Sequence, residues 1–240
     1  MDPNLVLARY ATERLLYRLS RSSHADRFVL KGGLLLLAWL GEAIRPEDPY
    51  GGRRLTLFAR LGSARLRVQV DVGIGDAVTP EPEMLDYPSL LDLPRPRLRA
   101  YRPESAVAEK IHAMVSLGSK NSRMRDFFDV RALARNLSFD GAALAESLRT
   151  TFEHRNTAIP KAAPLALTPA YARIEGKRAQ WAGFLRRSRI SSAPAELEAV
   201  IDAVASFAGP VLSAAGRGER FDRSWPPGGR WERGRRGRET

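Results

Sequence analysis

The stretch that decides the fold is residues 54–74, with the sequence RLTLFARLGSARLRVQVDVGI. Apolar and polar side chains alternate on either side of the loop Leu61–Ala64, which is the pattern of two strands joined in a hairpin. We therefore predict antiparallel strands over Arg54–Arg60 and Arg65–Ile74. In the second strand the apolar face is formed by Leu66, Val68, Val70 and Val72, and the polar face by Arg65, Arg67, Gln69 and Asp71.

Asp71 lies on this polar face, near the end of its strand. At such a position a carboxylate can be presented to a metal or a substrate. It can equally pair with a neighbouring Arg across the open face of the hairpin. The pattern alone leaves both interpretations open.

A strand, a glycine turn and a helix precede the hairpin. Phe28–Lys31 has the composition of a short strand, Gly32 and Gly33 follow it, and an apolar helix runs through Trp39. Glycines in such a turn let backbone N–H groups approach a ligand, and the helix N-terminus favours a phosphate. A plain turn is the alternative interpretation, because glycine pairs are common in turns.

The rest of the first hundred residues is expected to contain an amphipathic helix over residues 4–20, with Asn4 as its cap. The segment Gly75–Pro96 is predicted as a loop, and Leu98–Tyr101 as a last strand. From Pro103 the apolar residues recur with helical spacing. The sequence therefore predicts an α+β fold, with a domain over residues 1–102, a helical domain over 103–215 and a tail over 216–240.

Two aspartates stand out in the second predicted helix of the helical domain, which follows a cap at Asn121 or Ser122. Asp126 and Asp129 are expected to share one solvent-side face, with Arg125 one turn before Asp129.

The last predicted helix runs from residue 194 towards Leu212 and is expected to be disturbed at Gly209-Pro210. The tail is rich in Arg, Gly and Pro, which argues against a packed core of its own. We expect it to be an extended segment that docks its aromatic side chains, and we expect Glu232–Thr240 to be free in solvent. The docking side chains are Phe221, Trp225 and Trp231.

Composition excludes several classes of protein. The 240 residues include no Cys and three His, which excludes disulfides, thiolate metal sites and a Cys nucleophile. The longest apolar stretch, Leu34–Leu40, is shorter than a membrane span, so we expect a cytoplasmic protein with no membrane partner. A net charge of +12 favours nucleic acid or nucleotides as partners, although a solvated basic surface is the alternative.

Four ordered segments resemble the AbiEii/AbiGii nucleotidyltransferase toxin family. They are Phe28–Leu34, Gln69–Gly73, Val107–Lys110 and Asn121–Asp129. The segment Phe221–Gly229 also looks like the C-terminal ending of one branch of that family. The resemblance implies a minimal DNA-polymerase-β-like nucleotidyltransferase domain, with a reduced sheet here, followed by a helical domain. It also implies a type IV toxin–antitoxin system of phage defence, with an antitoxin as a possible partner.

The activity implied by the resemblance is transfer of a nucleotidyl group from an NTP to RNA, with tRNA as the target of some relatives. Mg²⁺ and NTP are the implied cofactors. By their positions in the motifs, the residues that correspond to catalytic and metal-binding groups are Asp71, Lys110 and Asp126, with Asp71 as the metal ligand. Those that correspond to nucleotide-binding groups are Gly32, Gly33, Lys110, Arg123, Arg125 and Asp129.

The chain departs from the family pattern in one place. Family members carry a strand with an Asp-x-Asp pair, the principal metal ligands, between the glycine-turn helix and the hairpin. Here Gly41–Arg45 is followed directly by Pro46–Gly52, and no Asp-x-Asp occurs anywhere in the chain. Glu47 and Asp48 are the nearby carboxylates, but adjacent residues of an extended chain point apart.

Three hypotheses follow. In the first, the chain is a nucleotidyltransferase of this family whose activity is impaired. In the second, it is a non-catalytic protein that still binds nucleotide, RNA or an antitoxin. In the third, it is a remnant without a selected function.

Overall fold

The computed structural model describes residues 3–40, 53–76, 78–188, 190 and 192–233. It has an α+β fold of helices and small antiparallel sheets. The chain divides into two compact units. The first takes in the chain up to Asp76 together with Pro82–Tyr101, and the second takes in the short segment that ends at Glu81 together with the chain from Arg102 onward.

The described residues of the first unit form two α-helices and two hairpins. The helices are α1 (Pro3–Ser20) and α2 (Gly33–Leu40), and the strands are β1 (Arg53–Leu61), β2 (Ala64–Val72), β3 (Glu83–Asp86) and β4 (Arg97–Ala100). β1 pairs with β2 and β3 pairs with β4, both antiparallel. The predicted hairpin is confirmed, because Gly62, with φ of +58°, and Ser63 form the turn between β1 and β2.

Three predictions for this unit need correction. β3 was expected to be part of a loop, but it pairs with the predicted strand β4. Phe28–Lys31 is reduced to one parallel bridge, in which the Leu30 N–H donates to the Arg99 carbonyl at 2.8 Å. α1 begins at Pro3, so Asn4 lies inside its first turn rather than at the cap.

The core of the first unit is a cluster of buried apolar side chains from both helices, β4 and the loop before it. They are Leu16, Leu37, Tyr87 and Leu98. One carboxylate is buried beside this core. Glu13, 1% exposed, accepts hydrogen bonds from the Ser89 hydroxyl at 2.6 Å and from the Leu90 N–H at 2.7 Å. These bonds anchor the loop that follows β3 to α1.

The second unit is built mainly of helices around a long central one. They are α3 (Pro103–Leu117), α4 (Met124–Asn136), α5 (Gly141–His154), α6 (Pro169–Arg173), α7 (Lys177–Ser188) and α8 (Leu197–Arg217). α8 contacts α4, α5, α6 and α7, and α3 contacts α4 and α5. The Asp140 carboxylate caps α5 by accepting the Ala143 N–H at 2.8 Å.

Helix α8 continues past the expected disturbance at Gly209-Pro210 and ends at Arg217. Pro210 has no N–H for the Ser206 carbonyl four residues earlier. At the adjacent carbonyl, that of Phe207, the Trp231 indole N–H donates at 2.7 Å. By length and hydropathy alone α8 could cross a membrane, but its apolar face is buried in the core of this unit.

The C-terminal segment docks on the helices, as predicted. Strands β5 (Phe139–Asp140), β6 (Arg223–Trp225) and β7 (Glu232–Arg233) form a three-stranded sheet in which β6 is central. The Trp225 indole donates to the Ala134 carbonyl at 2.7 Å, and its ring contacts Phe207 edge to face. Because β7 pairs with β6, the prediction that the chain is free from Glu232 is wrong for these two residues.

Candidate functional site

The glycine turn, Gly32-Gly33, follows the β-bridge between Leu30 and Ala100. Gly32 has φ of +77°, a conformation that favours glycine, and Gly33 is the first residue of α2. Beside the turn, the Lys31 ammonium contacts the Asp76 carboxylate at 2.6 Å. Lys31 therefore lies directly before the start of α2, where helix N–H groups favour an anion, and its charge is balanced by Asp76.

Asp76 is a residue that the sequence interpretation missed. It lies four residues after the end of β2, beyond Gly73 and Gly75, and a Cβ atom added at Gly73 would collide with its carboxylate. Gly73 therefore makes room for the contact between Lys31 and Asp76. The available signal was the second aspartate in Asp71-Val72-Gly73-Ile74-Gly75-Asp76.

Asp71 lies on the polar face of β2, directly opposite Arg54 of β1. The two side chains form a bidentate pair, with Arg54 Nε at 2.7 Å from Oδ1 and Arg54 Nη2 at 2.9 Å from Oδ2. Hydrogen bonds from Arg54 lower the pKa of Asp71 below its usual value. Of the two interpretations left open by the sequence, this geometry is that of the cross-strand pair.

Lys110, Asp126 and Asp129 come together between α3 and α4. The Lys110 ammonium contacts Asp126 Oδ1 at 2.9 Å and Asp129 Oδ2 at 2.7 Å. Arg125 Nε also contacts Asp129 Oδ2, at 3.4 Å. The resemblance had singled out all four residues, and the structure joins them in one network.

The prediction that Asp126 and Asp129 lie on a solvent-side face of α4 is wrong. The Asp129 side chain is 0% exposed and that of Asp126 is 13% exposed, because both face Lys110 of the neighbouring helix. Burial lowers the pKa of Lys110, but the attraction of Asp129 and Asp126 outweighs it and raises the pKa above its ordinary value. Lys110 is therefore charged at neutral pH. The two carboxylates balance the positive charges of Lys110 and Arg125.

The segment before α4 is fixed by the buried Asn121. Its side-chain oxygen accepts the Arg123 N–H at 2.9 Å, an Asx-type turn that leads into the helix. The backbone carbonyl of Asn121 accepts hydrogen bonds from the Tyr171 hydroxyl and from Lys177 Nζ, both at 2.6 Å. Arg123 is half-buried, and its side chain forms no ion pair among the described residues. Arg123 thus directly precedes α4, and Arg125 lies in the first turn of the helix.

The residues that the structure describes do not fit the Mg²⁺ site that the resemblance implied. Among the described residues no three His, Asp or Glu side chains cluster in a way that could hold a metal ion. Asp71 is engaged by Arg54, and the buried Asp129 has Lys110 and Arg125 on it. Two-metal chemistry needs convergent carboxylates without competing cations. Glu47 and Asp48, the alternative ligands, lie outside the described residues.

The predicted site residues therefore form three sets. Gly32 and Gly33 form a turn beside Lys31, and Asp71 is paired with Arg54, both in the first unit. Lys110, with Arg125 and the two aspartates, lies in the second unit. That all of them surround one cleft remains a prediction.

Comparison with protein families gives one match. The family model described as nucleotidyl transferase AbiEii toxin, type IV TA system, matches residues 42–204. The match includes Asp71 and the Lys110 network, whereas the glycine turn and the docked C-terminal segment lie outside it. Neither curated proteins nor solved structures gave a match. Because the matched region covers more than half of the chain, the protein belongs to the AbiEii nucleotidyltransferase toxin family of type IV toxin–antitoxin systems.

Proposed function

We propose that this chain is an AbiEii-type toxin whose nucleotidyl transfer from NTP to RNA is impaired, while binding of RNA, with tRNA as the first candidate, is retained. The observation that carries the proposal is the state of Asp71. This carboxylate accepts hydrogen bonds from Nε and Nη2 of Arg54, and the chain contains no Asp-x-Asp pair to join it. Even where a ligand displaces the exposed Arg54, a single carboxylate is a poor ligand for Mg²⁺ against the repulsion of a triphosphate.

The Lys110 network supports retained binding. Two of the three N–H donors of the Lys110 ammonium go to Asp126 and Asp129, which fixes the side chain and leaves the third for a ligand. With two aspartates against Lys110 and Arg125, the network is neutral overall. Lys110 is thus a positioned donor for one phosphate oxygen, and Arg123 supplies net positive charge nearby.

The second candidate function is binding without any catalysis, to nucleotide, RNA or a cognate antitoxin. The misfit of the described residues to Mg²⁺ favours it. An antitoxin partner follows from membership of a type IV toxin–antitoxin family. Action in the cytoplasm, in defence against phage, completes the proposal, because NTPs and tRNA are found there.

Incubation of the full chain with Mg²⁺, each radiolabelled NTP and total tRNA tests the proposal. We expect no incorporation above the protein-free background. Incorporation that disappears in Asp71→Ala but persists in Asp86→Ala would contradict impairment. Asp86 is the matched control, because it faces Arg97 across the other hairpin of the same unit, at 3.9 Å.

Filter binding of tRNA at several salt concentrations tests retained binding. The logarithm of affinity should fall with the logarithm of salt by about 0.7 per phosphate contact for single-stranded regions. Replacing Arg123 and Arg125 together by Ala should make the slope shallower. Deletion of residues 232–240 is the comparison. If the Arg-rich tail binds the RNA, this deletion rather than the Arg123 and Arg125 replacement makes the slope shallower. Binding that does not respond to salt would refute an electrostatic RNA site.

A further inference from the structure

The polar face of the β1–β2 hairpin combines arginines with an exposed aromatic ring. Its residues are exposed throughout. The cross-strand pairs on this face are Arg54 with Asp71, Thr56 with Gln69, Phe58 with Arg67, and Arg60 with Arg65. The mechanism implied by the family uses Asp71 of this face and none of the other seven residues.

Phe58 is unusual for its exposure. It is 59% exposed, the largest value among the exposed apolar residues of β1 and β2. The Arg65 guanidinium lies over its ring, 4.3 Å from the ring centre. Arginine planes and aromatic rings are the two surfaces on which unpaired nucleobases stack. The stack of Arg65 and Phe58 therefore offers a platform for a base.

The charges of this face are not balanced within the hairpin. Arg60 stands directly opposite Arg65, and Arg67 is two residues further along the same strand. Like charges directly opposite one another destabilise a hairpin. The only carboxylate of the face, Asp71, is occupied by Arg54, so the four arginines and one aspartate carry a net charge of +3. A bound polyanion would relieve this repulsion.

We propose that this face binds single-stranded RNA, with one base stacked on Phe58 and the neighbouring phosphates bound by Arg60, Arg65 and Arg67. The choice of RNA rests on the proposed function. An acidic polypeptide would satisfy the arginines but gives no reason for an exposed ring inside the basic cluster. A nucleic acid strand satisfies both, since every base has a flat face and every nucleotide has a phosphate.

Fluorescence anisotropy of a labelled oligouridine of about 12 nucleotides, within the range that small single-strand sites cover, tests the stacking. The full chain is titrated with Phe58→Ala, Phe58→Tyr and Leu57→Ala. We expect Phe58→Ala to bind about tenfold more weakly, because one base loses its stacking partner. Phe58→Tyr should bind like the unchanged chain. Leu57→Ala, on the opposite face of the same strand, should also leave the affinity unchanged.

The arginines are tested by salt dependence between about 0.05 and 0.2 M. Arg60→Ala should make the slope of log affinity against log salt shallower by about 0.7, the value for one phosphate contact. Arg53→Ala is the matched control, because Arg53 is on the same strand but on the other face, and its slope should not change. Thermal unfolding by circular dichroism establishes that each variant is folded, with Phe58→Leu as the replacement if Phe58→Ala is not.

The outcomes separate this inference from the proposed function. If the unchanged chain binds oligouridine and Phe58→Ala binds equally well, the hairpin site is wrong and RNA binding elsewhere stands. If the unchanged chain does not bind RNA at all, the RNA part of the proposed function falls as well. If labelled polyglutamate binds the unchanged chain more tightly than oligouridine does, and loses as much affinity as oligouridine in Phe58→Ala, the face is a site for acidic polypeptides and the inference is wrong.

Discussion

Two of the ion-paired aspartate sites, that of Asp71 on the β1–β2 hairpin and that of Asp126 and Asp129 on α4, have nearly the same distances but opposite surroundings. Asp71 and Arg54 contact each other at 2.7 and 2.9 Å on the open face of a hairpin, with side chains 33% and 45% exposed. Lys110 contacts Asp129 at 2.7 Å and Asp126 at 2.9 Å between two helices, where Asp129 is fully buried.

The difference in burial separates two roles. An exposed pair competes with water and salt and contributes little to stability, so a ligand can displace Arg54 from Asp71 at small cost. A buried pair is expensive to break, because the remaining charge is left without solvent or partner. The Lys110 network therefore holds α3 and α4 in place, and the hairpin face is the part that is free to change partners.

The largest effect is expected from Asp129→Ala. This change leaves Lys110 with Asp126 alone and should lower the free energy of unfolding by about 3–5 kcal/mol, as for other broken buried pairs. Urea unfolding followed by circular dichroism measures it.

Asp126→Ala is the matched control, because Asp126 contacts the same ammonium but is 13% exposed and can be replaced by water. We expect its effect to be clearly smaller. Equal effects of the two changes would show that burial does not decide the strength of this network.

A second prediction asks whether burial, rather than the helical unit, is what matters. Glu13 is the buried carboxylate of the first unit and accepts two hydrogen bonds from the Ser89–Leu90 segment. Glu13→Ala leaves the Leu90 N–H without its partner and should cost about 1–3 kcal/mol. Urea unfolding measures the change, and Glu83→Ala, an exposed glutamate of β3, is the control that should cost much less.

The same residue gives a pH dependence with a definite sign. Burial raises the pKa of Glu13, but hydrogen bonds from Ser89 and Leu90 and the charge of Arg14 outweigh it and lower the pKa below its usual value. A carboxylate with a lowered pKa in the folded state contributes stability above its unfolded pKa of about 4.3, and loses that contribution as the pH falls through the folded pKa.

Glu13→Gln should therefore flatten the dependence of the unfolding free energy on pH below about pH 5. Thermal melts between about pH 3 and pH 7 measure it. A variant as acid-sensitive as the unchanged chain would show that other carboxylates carry the acid response.

Local pattern predicted much of the fold, and tertiary pairing accounts for the errors. The β1–β2 hairpin followed from its alternation, since Val68 is buried and its neighbours are not. β3 was missed because four mostly exposed residues, Glu83–Asp86, have no periodicity of their own and are defined by pairing with β4. The helix expected to be disturbed near Pro210 continues because it is packed in the core.

The network of Lys110, Asp126 and Asp129 was also predicted only in part, because its burial depends on packing between two helices. Motif resemblance singled out Lys110, Asp126 and Asp129, but their burial was not foreseen. A signal was present: Asp129 lies four residues before the buried Leu133 and beside Val130, so it belongs to the apolar stripe of α4. A carboxylate in an apolar stripe needs a buried cation, and the sequence does not say that Lys110 of α3 supplies it.

The smallest effect is expected at the exposed pair, in a double-mutant cycle of Arg54→Ala and Asp71→Ala. Because both side chains remain accessible to water, their coupling should be near the error of the measurement at low salt and should vanish in about 1 M salt, where the Debye length is about 3 Å. Urea midpoints of the four proteins give the coupling. A coupling as large as that lost in Asp129→Ala would mean that Arg54 and Asp71 lock the hairpin, and that Asp71 is not free to exchange Arg54 for a ligand.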